Sequence, residues 1–467
     1  MVDSAIGEQT FARAQRVIPG GVNSATRSVG RPYAFSRASR QHVWDADGRR
    51  YIDYHAAFGA ILLGHNDPVV NRAAADALAD VDLMGVGVTD IEIRFAEKIV
   101  SLLPSADMVV ACTSGSEATH HAVRLARGAT GRHKIVKVQG GFHGWHDSVA
   151  RNVISPRGKE YGLDPLSAGI LPGVLESTIV AEFNDLASVE EAIASHPREI
   201  AAVIIEPIPH NVGTLRPTQE YLEGLRSLTD REGIVLIFDE VITGFRHSLG
   251  GYQALCGVLP DLTTFGKAVG NGFPISGLAG RRELMLEFNS AGGNVLLAGT
   301  FTGHPAGLAA ALKTIEHLEA PDFYGRLFAL GDRMRTGLRA IVSELGIDAV
   351  VEGFGSVFVL YFLTGQVRGY RDLLRNNDLA YAEFHRRMTD RGFLMLPLAL
   401  KRNHISASHT ESDIDLTLEA AREVLTGMLQ DGSIGAERVD AMGERVQSRG
   451  AESRRSGADL LSLPGTV

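Results

Sequence analysis

The chain's most reactive pairing is a lysine set among glycines and a carboxylate that closes an apolar run. Lys267 lies in DLTTFGKAVGNGFP and Asp239 in IVLIFDEV. Glycines beside a lysine let the main chain come close to a ligand. A partly buried lysine has a depressed pKa, which makes its neutral amine available as nucleophile and base. A carboxylate at the end of an apolar strand is costly to bury without a positive partner. A pyridinium nitrogen is such a partner, and the protonated ring is then an electron sink. Taken singly, Lys267 also reads as a surface-loop lysine, and Asp239 as a helix cap or the partner of an arginine. Together in one alternating region they point to pyridoxal phosphate, held by Lys267 as a Schiff base.

Three further segments follow apolar runs. MVVAC leads into TSGSEA and a helical stretch, a strand–turn–helix start whose free amides and dipole suit an anion. Gly115 and Ser116 are the candidates for a phosphate there, although Ser116 also reads as a simple helix cap. GGFHG follows the run Ile135–Val138; its Phe142 could stack on a flat heterocycle, with Val241 against the other face. Glu206 ends the run Ala201–Ile205 and Asn211 follows shortly after. They could orient a ring oxygen or a catalytic water, or serve only as loop hydrogen-bonding groups. His120, His121, His143 and His146 raise a metal reading, but no HExxH motif or cysteine cluster supports it, and no metal is expected.

The elements that must position these residues are short Val/Ile-rich runs alternating with amphipathic helices. The runs are Met108–Cys112, Ile135–Val138, Ala201–Ile205 and Ile234–Phe238. Such alternation predicts a buried, mostly parallel sheet flanked by helices, an α/β fold whose ligands bind at the strand carboxyl ends. Strand-like pieces near Tyr33–Phe35, His42–Trp44 and Tyr51–Tyr54, with a turn at Asp47-Gly48, precede this region. After residue 310 the pattern changes to helices (Ala306–Glu319, Tyr324–Leu345), strands near Ser356–Leu363 and His404–Ala407, and a helix Glu411–Leu429 capped by Thr410. The expected organisation is an N-terminal segment, 1–60, packing with a smaller α+β domain, 311–434. Between them lies a large domain, 61–310, and residues 435–467 form a mobile tail.

With 467 residues, 45% hydrophobic and 22% charged, the chain suits a soluble protein of two or three domains. The net charge of −9 and the lack of basic runs argue against nucleic acid. No stretch approaches the ~20 apolar residues of a membrane span. Two cysteines and an N-terminus without a secretory pattern lead to the expectation of a cytoplasmic protein.

The motifs PGGVNSATR, VWDADGRRYIDY, TSGSEATHHAVRLARGATGR, GGFHGWHD, IIEPIPHNVG, LIFDEVITGFR, TTFGKAVGNGFPISGLAGR and GTFTGHPAG, in this order, resemble the class III aminotransferases of pyridoxal-phosphate fold type I. The likeness runs from about Pro19 to Leu429. Within the family it is greatest to glutamate-1-semialdehyde aminomutase and related transaminases. It implies that Lys267 carries the cofactor, Asp239 meets its ring nitrogen, Val241 and Phe142 pack on the ring, and Gly115 and Ser116 hold the phosphate. It also implies that Gly299 and Thr300 reach the phosphate of a neighbouring subunit, hence a homodimer with shared active sites. Arg27 takes a substrate carboxylate by the same likeness, and Ser24, Phe58 and His143 are further substrate candidates. Two departures concern the pocket: Phe58 stands where the aminomutase has Trp, and Lys401, followed by Arg402, where it has Glu. A cation there would attract a second carboxylate.

The implied activity is transamination by a ping-pong route between a carboxylate-bearing amino compound and an oxo acid or aldehyde. Intramolecular amino transfer, as in the aminomutase, is the alternative. A decarboxylase or racemase on the same fold would differ by CO₂ release or loss of chirality. A non-catalytic module would be expected to lack Lys267 or Asp239.

Overall fold

Short runs, fully buried at the centre and half-buried at the edges, assemble into a seven-stranded sheet in the order Met108–Cys112, Ser276–Gly280, Leu262–Phe265, Val235–Glu240, Ile200–Ile205, Lys134–Val138, Thr178–Ala181. This computed structural model describes residues 5–28 and 33–435, with the backbone of a short antiparallel pair, Arg438–Val439 and Arg445–Val446. The rest of the expected tail, 435–467, lies outside the described residues.

Six strands run in one direction and Ser276–Gly280 runs against both of its neighbours. All four of the foreseen runs are strands. Thr178–Ala181, Leu262–Phe265 and Ser276–Gly280 are additions. SGLAG is built of small residues with low strand propensity, and it is the two neighbouring strands that hold it extended. The register sets Ile205 beside Phe238 and Asp239 beside Thr264. The residues that follow the parallel strands, among them Thr113, Glu206, Val241 and Gly266, therefore emerge at one edge of the sheet.

Helix Gly115–Thr130 begins at this edge and packs on the sheet through Ala118, Ala122, Val123 and Leu125. Ser114 caps it, its Oγ accepting from the Glu117 amide at 3.3 Å. On the other face, Pro305–Leu318 packs against Pro68–Asp80 and Asp90–Leu102 in the largest apolar cluster.

The two ends of the chain meet beside this sheet. Phe35–Ser39, His42–Asp45 and Arg50–Asp53 form an antiparallel meander, and Phe393–Leu394 adds to it in parallel. Val350–Phe354, Val357–Tyr361 and Asn403–His404 make a separate antiparallel sheet. Helices Phe323–Leu345, Asp378–Asp390 and Glu411–Gln430 cover these sheets. The last begins with a capping box: Thr410 Oγ1 accepts from the Asp413 amide at 3.2 Å, and the Asp413 carboxylate accepts from the Thr410 amide at 2.8 Å. No helix among the described residues is long and apolar enough to cross a membrane.

Tyr361 ties the Val357–Tyr361 strand to the loop that follows Ile205. Its buried hydroxyl donates to Val212 O at 2.8 Å and accepts from the Thr214 amide at 3.0 Å. Tyr361→Phe keeps the ring but strands a buried carbonyl and amide. It should cost about 1–3 kcal/mol, read as a lower urea midpoint at unchanged slope.

Candidate active site

The first turn of an α-helix has amides without intrahelical partners. In Gly115–Thr130 the Glu117 and Ala118 amides turn back to Ser114, and those of Gly115 and Ser116 have no acceptor among the described residues. Thr113 is locked at the turn by Glu117, whose Oε2 accepts from both its amide and its hydroxyl at 2.7 Å. Gly115 permits a close approach: a Cβ there would lie 2.8 Å from Val241 Cγ1. The turn thus packs directly beneath a branched side chain that faces the cleft.

Asp239 is the penultimate residue of the Val235–Glu240 strand, with only 3% exposure. Burial of this carboxylate is met by three donors. Thr264 Oγ1, on the adjacent strand, donates to Oδ1 at 3.1 Å, and the Val241 amide donates to the same oxygen at 3.1 Å. His143 Nδ1 donates to Oδ2 at 2.8 Å. Its Nε2 is buried without a partner among the described residues.

Lys267 opens a 3₁₀ turn, Lys267–Gly270, with φ of +47°, a conformation disfavoured for a residue with a Cβ. Its amine has no hydrogen-bond partner among the described residues. Burial and then the Arg402 charge push its pKa down to about 8, against the pull of Asp239 and Glu206.

Phe142 is set by its main chain. Lys137, fully buried, donates to Gly141 O at 2.8 Å, while the Phe142 amide donates to Glu206 Oε1 at 2.9 Å. One peptide unit is therefore gripped at both ends. Glu206 Oε2 accepts from the amides of His210, at 3.0 Å, and Asn211, at 3.3 Å. Burial raises the Glu206 pKa, and burial lowers that of Lys137 to about 7.

The Gly115 turn, Phe142, Glu206, Asp239 and Lys267 line one cleft of about 440 Å³, with Arg27, Ala60, Ile242 and the Phe273–Ile275 segment completing its wall. A flat pyridine ring with a phosphate fits the set. There are free amides at a helix start, a pre-organised carboxylate, an unpartnered amine of lowered pKa, and the apolar side chains of Phe142 and Val241.

The structure gathers Gly115, Ser116, Phe142, His143, Glu206, Asp239, Val241, Lys267 and Arg27 around this cleft. Other expectations are altered. His143, expected at the substrate, is hydrogen-bonded to Asp239. Both Glu206 oxygens are engaged by main-chain amides, so it braces loops. Asn211 lies outside the cleft wall, its Nδ2 on Gly140 O at 2.8 Å. Lys401, expected at the pocket mouth, is buried with its ammonium on Asn211 Oδ1, because the loop before Asn403 folds inward. Phe58 is half-buried against the His55 ring, centroids 4.4 Å apart, and Ser24 is exposed beside Thr26. Neither lines the cleft. Gly299 and Thr300 are exposed, and Thr302 next to them donates to Glu117 Oε1 at 3.4 Å. Of the remaining histidines, His146 meets Thr119 and His120 meets Arg124. Sequence reasoning missed Thr264 and Lys137. Thr264 was visible only as part of TTFGK, since its pairing with Asp239 depends on strand register.

Fold and site together define a pyridoxal-phosphate enzyme of fold type I. The sequence pattern of the aminotransferase class-III family matches residues 24–406. The chain is 40% identical over 422 residues to a glutamate-1-semialdehyde 2,1-aminomutase of Desulfatibacillum aliphaticivorans, covering 90% of this chain and 98% of that protein. Among solved structures it is similar to an omega-transaminase from Sphaerobacter thermophilus, with 32% identity, a TM-score of 0.85 and coverage of 90% and 97%. A glutamate-1-semialdehyde aminomutase from Pseudomonas aeruginosa in complex with PMP matches with 25% identity, a TM-score of 0.81 and coverage of 91% and 94%. The chain belongs to the class-III aminotransferases, and its cofactor is pyridoxal phosphate.

The lowered pKa of Lys267 has a measurable sign. A lysine near the ordinary value of about 10.4 is roughly 0.4% neutral at pH 8, whereas Lys267 is about half neutral there. When pyridoxal phosphate is added to apoprotein, the rate at which the visible band forms should rise with pH and level off above about pH 8. Stopped-flow absorbance across pH 6 to 10 reads this directly.

Proposed function

We propose that the enzyme transfers an amino group from a carboxylate-bearing amine to a separate oxo acid or aldehyde, in two half-reactions at one site. Pyridoxal phosphate, when bound, supplies an aldehyde to take up the amine and a ring to accept electrons. Gly115 and Ser116 would hold its phosphate and Asp239 its ring nitrogen, with Phe142 and Val241 offering apolar contact to the ring. Lys267 Nζ takes the proton from the amine-bearing carbon of the substrate, its lowered pKa suiting it to serve as base near neutral pH. Arg27, which has no ion-pair partner among the described residues, orients the substrate carboxylate from the cleft wall.

The observation that carries the choice of a separate acceptor is the basic interior behind Lys267. By the family likeness Lys401, followed by Arg402, stands where the aminomutase has Glu, and both cations are buried near Glu206. Such a surplus of positive charge favours an acidic acceptor such as a dicarboxylic 2-oxo acid. The second reading, intramolecular amino transfer on glutamate 1-semialdehyde, is favoured by relatives of about 40% identity that bear that name.

We also propose a homodimer in which Gly299 and Thr300 reach the partner's phosphate site. The exposed apolar side chains of Met84, Val86, Val88 and Phe301 support such pairing. A cytoplasmic setting accords with two unpaired cysteines.

Lys267→Ala should abolish both the visible cofactor band and turnover; retention of either rejects its role. With a panel of amines and oxo acids, turnover should require an oxo acceptor. Conversion of glutamate 1-semialdehyde alone would select the second reading. Arg27→Ala should raise the KM of carboxylate substrates roughly tenfold while changing kcat little, as loss of one charge-assisted hydrogen bond implies.

A further inference from the structure

Between the Arg50–Asp53 strand and the cleft, three consecutive residues with side chains sit in the left-handed region. Ala56, Ala57 and Phe58 have φ of +47°, +48° and +59°, and Gly59 follows at +90°. L-residues with a Cβ avoid this region, and a run of three persists only where the surroundings over-determine it. Gly59 is additionally fixed by space, since a Cβ there would lie 2.7 Å from His404 Nε2.

The surroundings are charged in the sense the turn requires. At its amide end the Asp53 carboxylate accepts from His55 N at 2.8 Å and from Ala56 N at 3.1 Å. At its carbonyl end Arg402 Nη2 donates to Phe58 O at 3.0 Å, and Arg246 Nη2 to Gly59 O at 2.9 Å and Ile61 O at 3.2 Å. An anion at the amides and two cations at the carbonyls oppose the turn's dipole. Both arginines are buried, and neither has a carboxylate within salt-bridge distance among the described residues. Arg246 lies seven residues beyond Asp239, and Arg402 also donates through Nε to His404 at 3.2 Å.

We infer that Arg402 and Arg246 are positioning residues that clamp this strained turn, and with it Ala60, against the cleft that holds Lys267. Ala60, which ends the turn, is part of the cleft wall, so its location follows from the clamp. The groups acting on the Lys267 amine are Arg402, Arg246 and Lys401 on the positive side and Asp239 and Glu206 on the negative side. After burial itself, Arg402 has the largest effect. The arrangement does not depend on which amine is the substrate.

The test uses full-length apoprotein. In Arg402→Met, hydrogen exchange of the segment from His55 to Ile61 should quicken by roughly tenfold or more. The pH midpoint for capture of pyridoxal phosphate by Lys267 should move above its wild-type value of about 8, because a neighbouring positive charge is gone. Arg402→Lys, which keeps the charge, should hold the midpoint near 8. Wild-type exchange in Arg402→Met, or an unmoved midpoint, overturns the inference. Should Arg402→Met fail to fold, Ala57→Gly in the wild-type background decides. Ala57 is exposed, so removing its methyl chiefly frees the left-handed backbone, and Tm should rise. A lower Tm overturns the inference.

Discussion

A carboxylate at the end of a strand buried on both faces must be met by donors, and several elements are arranged around that need in Asp239. The neighbouring strand supplies Thr264, the next turn supplies the Val241 amide, and the loop after Val138 supplies His143. Each donor fixes a different piece of the site. Thr264 requires the two strands to pair in one register, three residues before Lys267. The Val241 amide aims its own side chain at the Gly115 turn, and His143 draws in the loop that carries Phe142. Relaxing any of these would leave a charged group without compensation in a medium that cannot solvate it.

The second organising force is a surplus of buried positive charge. Lys267, Lys401, Arg402 and Arg246 lie near one another, and the carboxylates of Asp239 and Glu206 are already occupied by donors of the chain itself. Burial and then the Arg402 charge push Lys401 down to about 7, and burial pushes Arg402 down to about 10 against the pull of Glu206. Such an interior favours anionic ligands and keeps the Lys267 amine reactive. It also explains why Lys401, Arg402 and Arg246 bind carbonyl and amide oxygens: with few counter-ions available, uncharged dipoles take over that task.

The sheet was legible where it is made of branched residues. MVVAC, KIVKV, IAAVII and VLIFDE announce themselves as buried strands, and the chemistry that follows each is readable from its place after a run. SGLAG was not legible, since its extension comes from its neighbours. Lys267, Asp239, Phe142 and the Gly115 turn were visible because ligand chemistry demands particular residue types. Lys401 was visible as a charge but its orientation was not, because inward folding of the 395–402 loop depends on Asn211, nearly two hundred residues earlier. The left-handed turn was equally hidden. HAAFGA has only one glycine in a segment that keeps four residues at positive φ, and the arginines responsible come from distant loops.

The peptide unit between Gly141 and Phe142 is held by an ammonium on its oxygen and a carboxylate on its nitrogen. Neither contact involves the aromatic side chain. Another planar residue installed at this position would inherit the same tilt toward the cleft. The polarity of that face is thereby separated from its placement. Evolution, or an engineer, is free to retune how the ring is covered by exchanging one side chain without rebuilding the loop that presents it.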